Sequence, residues 1–540
     1  MLNCKKCGQN FELEAEDFEF LKKFDVPAPT HCPDCRNQRR LVFRNDRNFY
    51  KRECDMCKKI IISIYSVDRP FPVYCKDCFL SDKFNPLDYG KDFNFDKPFF
   101  EQFEDMRSKV PRIAIYQTLC ENSDYIVHSG KSKNCYMGSS MRGCEDVYYS
   151  DFAQVSRDSL DLYMCSHMEE CYFCTDSDQC YHSSYLENCL SLNFSYLCFD
   201  CRASNNLIGC VGLRRKEFMI LNQPSNQKDF EETLKKLNND AEFKCDFLEK
   251  FAKLRLEIPV KYFWEKNSEN STGNYVVNSK NARDCYNVWN VEDGKYIYDS
   301  MDMKDCLDST RIAGGEMLYE TNGGIDLTFS KFSNLCYQCS NMEYCDNSQS
   351  SHDCFGCMSL KSNRFCILNK QYSEEEWRKL ATLVIEHMKK TGEYGEYFPA
   401  GITVFGYNET KAFDHFPLSK IEAIAKGFKW KDVDLRQYLP QTYKLTNEIN
   451  DDVLNEILAC SLCSKNYKII PQELKFYRKM GLPIPVKCFE CRHKERLSYE
   501  NPRKLWDRNC MKCGVTIQTT YAPECSEKVY CEKCYLAEVQ

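Results

Sequence analysis

The sequence predicts a mainly β protein with helical connectors, in which two cysteine-rich modules at the chain ends flank two parallel β-solenoid domains. Three observations predict it. A block of four C-x2-C pairs opens the chain and recurs at its end with a constant offset of 456 residues. The middle of the chain is rich in Cys, Tyr, Ser and Asn, with no helical 3.6-residue pattern. That middle texture itself occurs twice, so the chain reads as an internal duplication. The expected order is a double Cys4 module with a helix (1–112), a solenoid (113–226), a helical connector (227–268), a second solenoid (269–372), a helical and irregular connector (373–456) and a closing double module (457–540).

The opening block pairs Cys4/Cys7, Cys32/Cys35, Cys54/Cys57 and Cys75/Cys78, and the closing block pairs Cys460/Cys463, Cys488/Cys491, Cys510/Cys513 and Cys531/Cys534. A C-x2-C turn presents two sulfurs from one knuckle, and a structural zinc takes four thiolates in a tetrahedron. Four knuckles per module therefore predict two Cys4 sites each, about four Zn²⁺ per chain. Pairing in sequence order is favoured, with a cross-braced arrangement as its rival. EAEDFEFLKKF reads as a short helix stopped by Pro27 and Pro29, and IIISIYS with PVYC as the strands of a ribbon hairpin. Modules this small draw most of their stability from metal.

The stretch CKKCGQNFELEAEDFEFLKKFDVPAPTHCPDCRNQRR resembles the zinc-ribbon, treble-clef-like family written C-x2-C-G-x2-F followed by P-x-(H/R)-C-x2-C-R. CSLCSKNYKIIPQELKFYRKMGLPIPVKCFECRHKER resembles it too, with Ser464 for the glycine and Tyr467 for the phenylalanine. The whole architecture is similar to otherwise uncharacterised cysteine-rich bacterial proteins. The resemblance implies metal binding and no particular activity.

Between the second and third knuckles, RNQRRLVFRNDRNFYKR carries Arg36, Arg39, Arg40, Arg44, Arg47, Lys51 and Arg52 against Asp46, with Phe43, Phe49 and Tyr50 interleaved. Guanidinium groups fork onto phosphates and aromatic rings stack on bases, which makes this the best nucleic-acid signal in the chain. The competing reading gives these arginines to knuckle carbonyls. The second copy keeps Arg492, Lys494, Arg496, Arg503, Lys504 and Arg508 but adds Glu495, Glu500 and Asp507, so the recurring arginines could be structural in both.

In the middle, cysteines fall nine apart at Cys135/Cys144 and along Cys171, Cys180, Cys189 and Cys198. Short Cys-, Tyr- and Val-rich pieces alternate with Ser, Asn and Asp turns, which predicts stacked rungs with small residues in the lumen and aromatics at the corners. SDYIVHSGKSKNCY recurs as GNYVVNSKNARDCY, and IGCVGLRRKEFMILNQ as FGCMSLKSNRFCILNK. Four more C-x2-C pairs occur here: Cys171/Cys174, Cys198/Cys201, Cys336/Cys339 and Cys354/Cys357. Their partners do not carry over, since Leu192 stands opposite Cys339, Ser348 opposite Cys201 and Leu207 opposite Cys354. A metal site needs all its ligands, whereas a core position accepts Cys or Leu alike. Core packing is favoured over extra metal or redox thiols. KPFFEQFEDMRSKV, DFEETLKKL, EEEWRKLATLVIEHMKK, SKIEAIAKGF and NDDVLNEILAC read as helices.

Composition bounds the function. The chain has 540 residues, a net charge of −7 and 37 cysteines. No window approaches the roughly 18 apolar residues of a membrane span, and the N-terminus lacks an export signal, so reduced metal-binding thiols in the cytoplasm are expected. No H-E-x2-H, G-x-S-x-G or Walker glycine loop occurs. Asp124, Asp151, Asp161 and Arg142 are the candidates for lyase-like chemistry on a β-helix face, an argument from fold analogy alone. The expectation is a non-enzymatic zinc protein without small-molecule substrate or membrane. It would bind RNA, a ribonucleoprotein or DNA through Arg36 to Arg52. The alternative is a protein–protein scaffold, or a self-associating one, with purely structural zinc. Metal or thiol buffering by the middle cysteines is a third reading.

Overall fold

The computed structural model describes residues 1–316, 319–328, 331, 340–432, 437–444 and 449–539. They are mostly strands, with some helices. The chain forms two compact units, Met1–Tyr116 with Glu265–Asp432, and Gln117–Trp264 with Val433–Gln540. Each contains one terminal cysteine module and one parallel-stranded body. The expected pair Cys336/Cys339 lies outside the described residues.

The body of the second unit is a twelve-stranded sheet running from Ile126–Val127 to Gln223–Pro224. Its pairs are parallel apart from the closing hairpin, and parallel partners lie twelve residues apart: Glu145 with Arg157, Arg157 with Glu169, Glu169 with Tyr181, Tyr181 with Asn193. The reason lies in the backbone. Nearly every third residue from Leu119 to Leu221 has a left-handed φ, between 43° and 58° for the non-glycines. A left-handed residue turns an extended chain, so four such turns return it to its starting point after twelve residues. Asn, Asp and Gly tolerate this conformation best, which accounts for the Asn/Asp-rich texture of the turns.

The same period places one side chain in three inside. Ile126, Cys135, Cys144, Val147, Leu162, Cys165, Cys171, Cys174, Cys180, Cys189, Leu192, Cys198, Cys201, Leu207 and Cys210 form one buried core. The cysteine spacing of nine is thus three such steps. Serines at the other inward positions bridge successive turns. Ser195 donates to the Asn193 carbonyl at 2.9 Å and accepts the Leu207 N–H at 3.3 Å, and Ser159 and Ser177 make the same pair of bonds. Inward thiols donate to the carbonyls of the preceding and following turns, as Cys171 does to Glu169 (3.3 Å) and Cys180 (3.4 Å). Burial pushes the inward thiols up, Cys144 to about 11 and Cys210 to about 12, so they sit in the core as neutral small hydrophobes.

The body of the first unit is an eleven-stranded sheet with the same register, Tyr286 with Tyr298 and His352 with Arg364. Its first turn is one residue shorter, Glu265 pairing with Val276. The register lengthens at Gly273, whose φ is 128° and where a Cβ would lie 1.8 Å from the Cys285 carbonyl oxygen. Both bodies close with an antiparallel hairpin followed by a helix, Gln227–Asn239 in one and Glu374–Thr391 in the other. Trp377 of the latter donates its indole N–H to the Cys366 carbonyl at 3.3 Å.

Each terminal module packs on the body more distant in sequence. Leu21, Leu41, Val42 and Phe43 share a core with Leu307, Tyr319, Tyr344 and Phe355. Leu474, Phe476 and Tyr477 share one with Tyr149, Tyr172 and Phe173. Two local expectations fail. Ile60–Ser63 pairs with Tyr50–Glu53, not with PVYC, because Val73–Tyr74 is taken by a parallel strand at Arg112–Ile113. NDDVLNEILAC forms only the short 3-10 turn Asp451–Leu454 before the strand Leu458–Ala459, which hydrogen-bonds Asn466–Tyr467.

Val155 is a β-branched residue held at φ 46° and 58% exposed, a conformation in which its branched side chain clashes with its own backbone. Val155→Asn is expected to stabilise the second unit by about 1 kcal/mol, measured as a shift of the urea midpoint.

Candidate metal centres and the helices they anchor

Four groups of cysteine sulfurs meet the geometric requirement for a metal among the described residues: Cys4/Cys7/Cys32/Cys35, Cys54/Cys57/Cys75/Cys78, Cys460/Cys463/Cys488/Cys491 and Cys510/Cys513/Cys531/Cys534. The knuckles therefore pair in sequence order, not cross-braced. None of the described inward cysteines of the bodies belongs to such a group.

Each site is built from a turn and a helix start. In the first knuckle the residue after the second cysteine is left-handed: Gly8, Lys58, Ser464 and Gly514, with φ from 59° to 75°. This lets the first cysteine's N–H reach back across the turn, as Cys4 does to Gln9 and Cys460 to Lys465, both at 2.9 Å. The second knuckle opens a helix. Cys32, Cys75 and Cys488 are the N-caps of Pro33–Leu41, Lys76–Leu80 and Phe489–Leu497. A hydrogen bond from the Cys35 thiol brings Cys32 down to about 5, whereas burial pushes Cys75 up and Cys488 up to about 11.

Sulfurs of opposite knuckles lie 3.7 Å apart at Cys7–Cys32, Cys463–Cys488 and Cys513–Cys531, and 3.9 Å at Cys57–Cys75. A disulfide would need about 2.05 Å. A tetrahedral ion with metal–sulfur bonds of about 2.3 Å separates its sulfurs by about 3.8 Å, which is the distance found. Backbone N–H groups also point at the sulfurs, Cys75 at Cys54 (3.3 Å) and Cys531 at Cys510 (3.2 Å). Burial works against ionisation of Cys460 and Cys510, but N–H groups of the facing knuckle and of their own outweigh it and bring both thiols down to about 6. The donor sets fit a tetrahedral thiolate-bound ion.

The arginine segment takes a different place from the one its composition suggests. Arg36, Arg40, Arg44 and Arg52 are buried, and Arg39 and Arg47 are ion-paired, leaving Lys51 as the exposed cation of the seven. Arg36 and Arg40, four apart on Pro33–Leu41, both grip the buried Asp308 at 2.6 and 3.3 Å. Arg36 also donates to the His31 carbonyl beside the knuckle at 2.6 Å. Arg39 forks onto Glu320 (2.7 and 3.0 Å) and reaches Glu396 (2.7 Å). Arg44 pairs with Asp46 and Arg47 with Asp414, while Arg52 bonds the Ser66 carbonyl and Asp55. Burial works against the charge on Arg36, and the Asp308 carboxylate more than offsets it.

The closing module makes the same contacts. Arg492 and Arg496 grip Asp161 at 2.6 and 2.8 Å, and Arg492 donates to the Lys487 carbonyl at 2.9 Å. Arg508 bonds the Ala522 carbonyl as Arg52 bonds that of Ser66. Phosphate contact is thereby denied to Arg36, Arg40 and Arg44, whose guanidinium groups hold the module to the body. Asp161, a candidate for lyase chemistry, is the carboxylate of this clamp. Asp151 accepts from Ser139 at 2.6 Å, and Asp124 and Arg142 are exposed.

Asp308 and Asp161 were missed as functional partners because they lie 268 and 331 residues from the arginines they hold. The recurrence of Arg36 and Arg40 as Arg492 and Arg496 was the available signal. No protein-family model matches this chain, and no curated protein or solved structure matches it significantly.

Two expectations follow. Asp161→Asn leaves the buried Arg496 without its carboxylate and Arg492 with Glu473 alone at 3.6 Å, and should cost the second unit about 3–5 kcal/mol. Amide exchange should then rise across Phe489–Leu497 while Pro33–Leu41 stays protected. Ser464→Gly relieves a left-handed non-glycine and should stabilise the third site by about 1 kcal/mol, read as greater resistance of that module to chelator.

Proposed function

We propose that the chain is a non-enzymatic, cytoplasmic zinc protein that serves as a protein–protein scaffold. It is built by internal duplication around two β-solenoids, each locked by a treble-clef-like, zinc-ribbon module. The observation that carries this reading is the arginine pair. The segment best suited by composition to nucleic acid spends its cations on Asp308, Glu320, Glu396 and Asp414. The twelve-residue register and the recurring clamp support the solenoid and the duplication. Tetrahedral all-thiolate donor sets suit zinc or iron, and zinc fits a role without redox chemistry. A Cys4 ion has no open position for water or substrate, which supports a structural role.

Elemental analysis of the purified protein should give about four zinc ions per chain, with no visible thiolate-to-iron absorption. Well over four would favour a metal store in the inward cysteines. Binding to labelled single-stranded RNA and duplex DNA across a salt series should show no affinity that depends on Arg39, Arg47 or Lys51. Salt-dependent binding lost on substituting those three would restore the nucleic-acid reading and defeat this one.

A further inference from the structure

The two modules dock in the same way but not on the same chemistry. In the first unit, the helix Pro33–Leu41 lies across three residues spaced twelve apart, Tyr296, Asp308 and Glu320. Arg36 stacks over Tyr296 at 5.5 Å, Arg36 and Arg40 hold Asp308, and Arg39 forks onto Glu320. In the second unit, Phe489–Leu497 lies across Tyr149, Asp161 and Phe173, again spaced by twelve. Arg492 stacks over Tyr149 at 5.3 Å, Arg492 and Arg496 hold Asp161, and Arg496 stacks over Phe173 at 5.2 Å. The first two positions of each column are shared, Tyr then Asp. The third differs, Glu320 against Phe173. The helix position facing it differs with it, since Arg39 corresponds to Glu495, which pairs with Lys487 at 2.8 Å within its own module.

We infer that this third position is a specificity determinant for which terminal module docks on which body. Tyr and Asp supply a docking surface that either module's arginine pair fits. Discrimination then comes from contacts that are favourable in one pairing and costly in the other. Lys295 with Glu14 and Asp17 in the first unit, and Lys479 with Asp158 and Glu170 in the second, are such contacts away from the column, and the third position is the one that the arginine helix itself covers. The closing module on the first body would set Glu495 against the buried Glu320, two like charges out of water. The opening module on the second body would set Arg39 against Phe173 and leave its fork without a carboxylate. Glu320 and Phe173 are both buried, so solvent screens neither mismatch. The chain needs such a device because each module bypasses the body next to it in sequence. This inference is independent of what the scaffold binds.

The test uses the full zinc-loaded chain in two variants. Arg39→Glu alone should place like charges together and raise amide exchange across Pro33–Leu41 about a hundredfold, with Phe489–Leu497 unchanged. Arg39→Glu with Glu320→Phe and Glu396→Gln removes both carboxylates that Arg39 holds, gives the third position the Glu-and-Phe pair of the second unit, and should restore that protection. It should also weaken the discrimination. After refolding from denaturant with zinc, this triple variant should give more cross-links between residues 1–53 and 117–224 than the wild type, together with swapped oligomers. Wild-type protection in the single variant would overturn the inference. So would a triple variant that stays unprotected, or one that refolds with the wild-type cross-link pattern.

Discussion

A chain that turns every three residues has room for one inward side chain per side, and everything else in the two bodies follows from that restriction. The inward space is too narrow for a run of large residues, so it is filled with Cys, Ser, Ala and Val and occasional Leu or Met. Each turn leaves backbone N–H and C=O groups facing inward with nothing to meet unless a side chain supplies it. Serine solves this with a donor and an acceptor on one atom, and the thiol of cysteine supplies a weaker donor with a more apolar surface. Most of the thirty-seven cysteines therefore serve one of two unrelated ends. At the termini they meet in fours around a metal-sized space, with backbone N–H groups bringing down thiols such as Cys460 and Cys510. In the bodies they are buried filling, and burial pushes thiols such as Cys144 and Cys210 up.

The outward face of the same geometry makes docking surfaces. Residues at the turns stack in columns along the body, one every twelve positions, and a helix laid across a column meets a short linear pattern of side chains. The arginine pairs exploit this. Two guanidinium groups on one helical face, four residues apart, converge on one carboxylate. Such a cluster is costly to bury unless every charge is matched, so its value lies in fixing one arrangement rather than in net stability. The metal site and the clamp are mechanically continuous. Cys32 and Cys488 cap the helices that carry the arginines, and Arg36 and Arg492 return to the carbonyls just before those knuckles. Metal that fixes the knuckle fixes the angle at which the arginines enter the body.

This division explains what could be read from the sequence. The knuckle sites were legible because zinc-type ligation depends on local spacing, and C-x2-C is a local pattern. The inward role of the middle cysteines was legible from the failure of their partners to recur, as with Leu192 and Ser348. The period of three was present in the cysteine spacing of nine but hidden by it, since hydrophobic periodicity is normally sought at two or 3.6 residues. The fate of Arg36 to Arg52 was not legible from composition. A run of arginines looks free until its acids are located, and Asp308, Glu320, Glu396 and Asp414 lie hundreds of residues away. Only the comparison of the two modules hinted at it: Arg36 and Arg40, which hold the buried carboxylate, recur as Arg492 and Arg496, and Arg39, which does not recur, makes the contact that differs.

The pairing of each module with the more distant body was illegible for a related reason, and it constrains how the protein assembles. Adjacent segments find each other easily because the loop they close is short. The opening module cannot reach Asp308 until some 270 residues later have been made, so it must hold its own shape in the meantime. A Cys4 site formed from residues 4–35 supplies that shape from local contacts and metal alone. The closing module faces the reverse situation, since the body that receives it is finished before it exists. During that interval the second body's column, with the buried-to-be Asp161 at its centre, stands ready while the opening module is already folded. Local metal binding makes the modules early and similar. It therefore creates the risk of a wrong match, and a chain assembled in this order has to carry its discrimination in the docking contact itself.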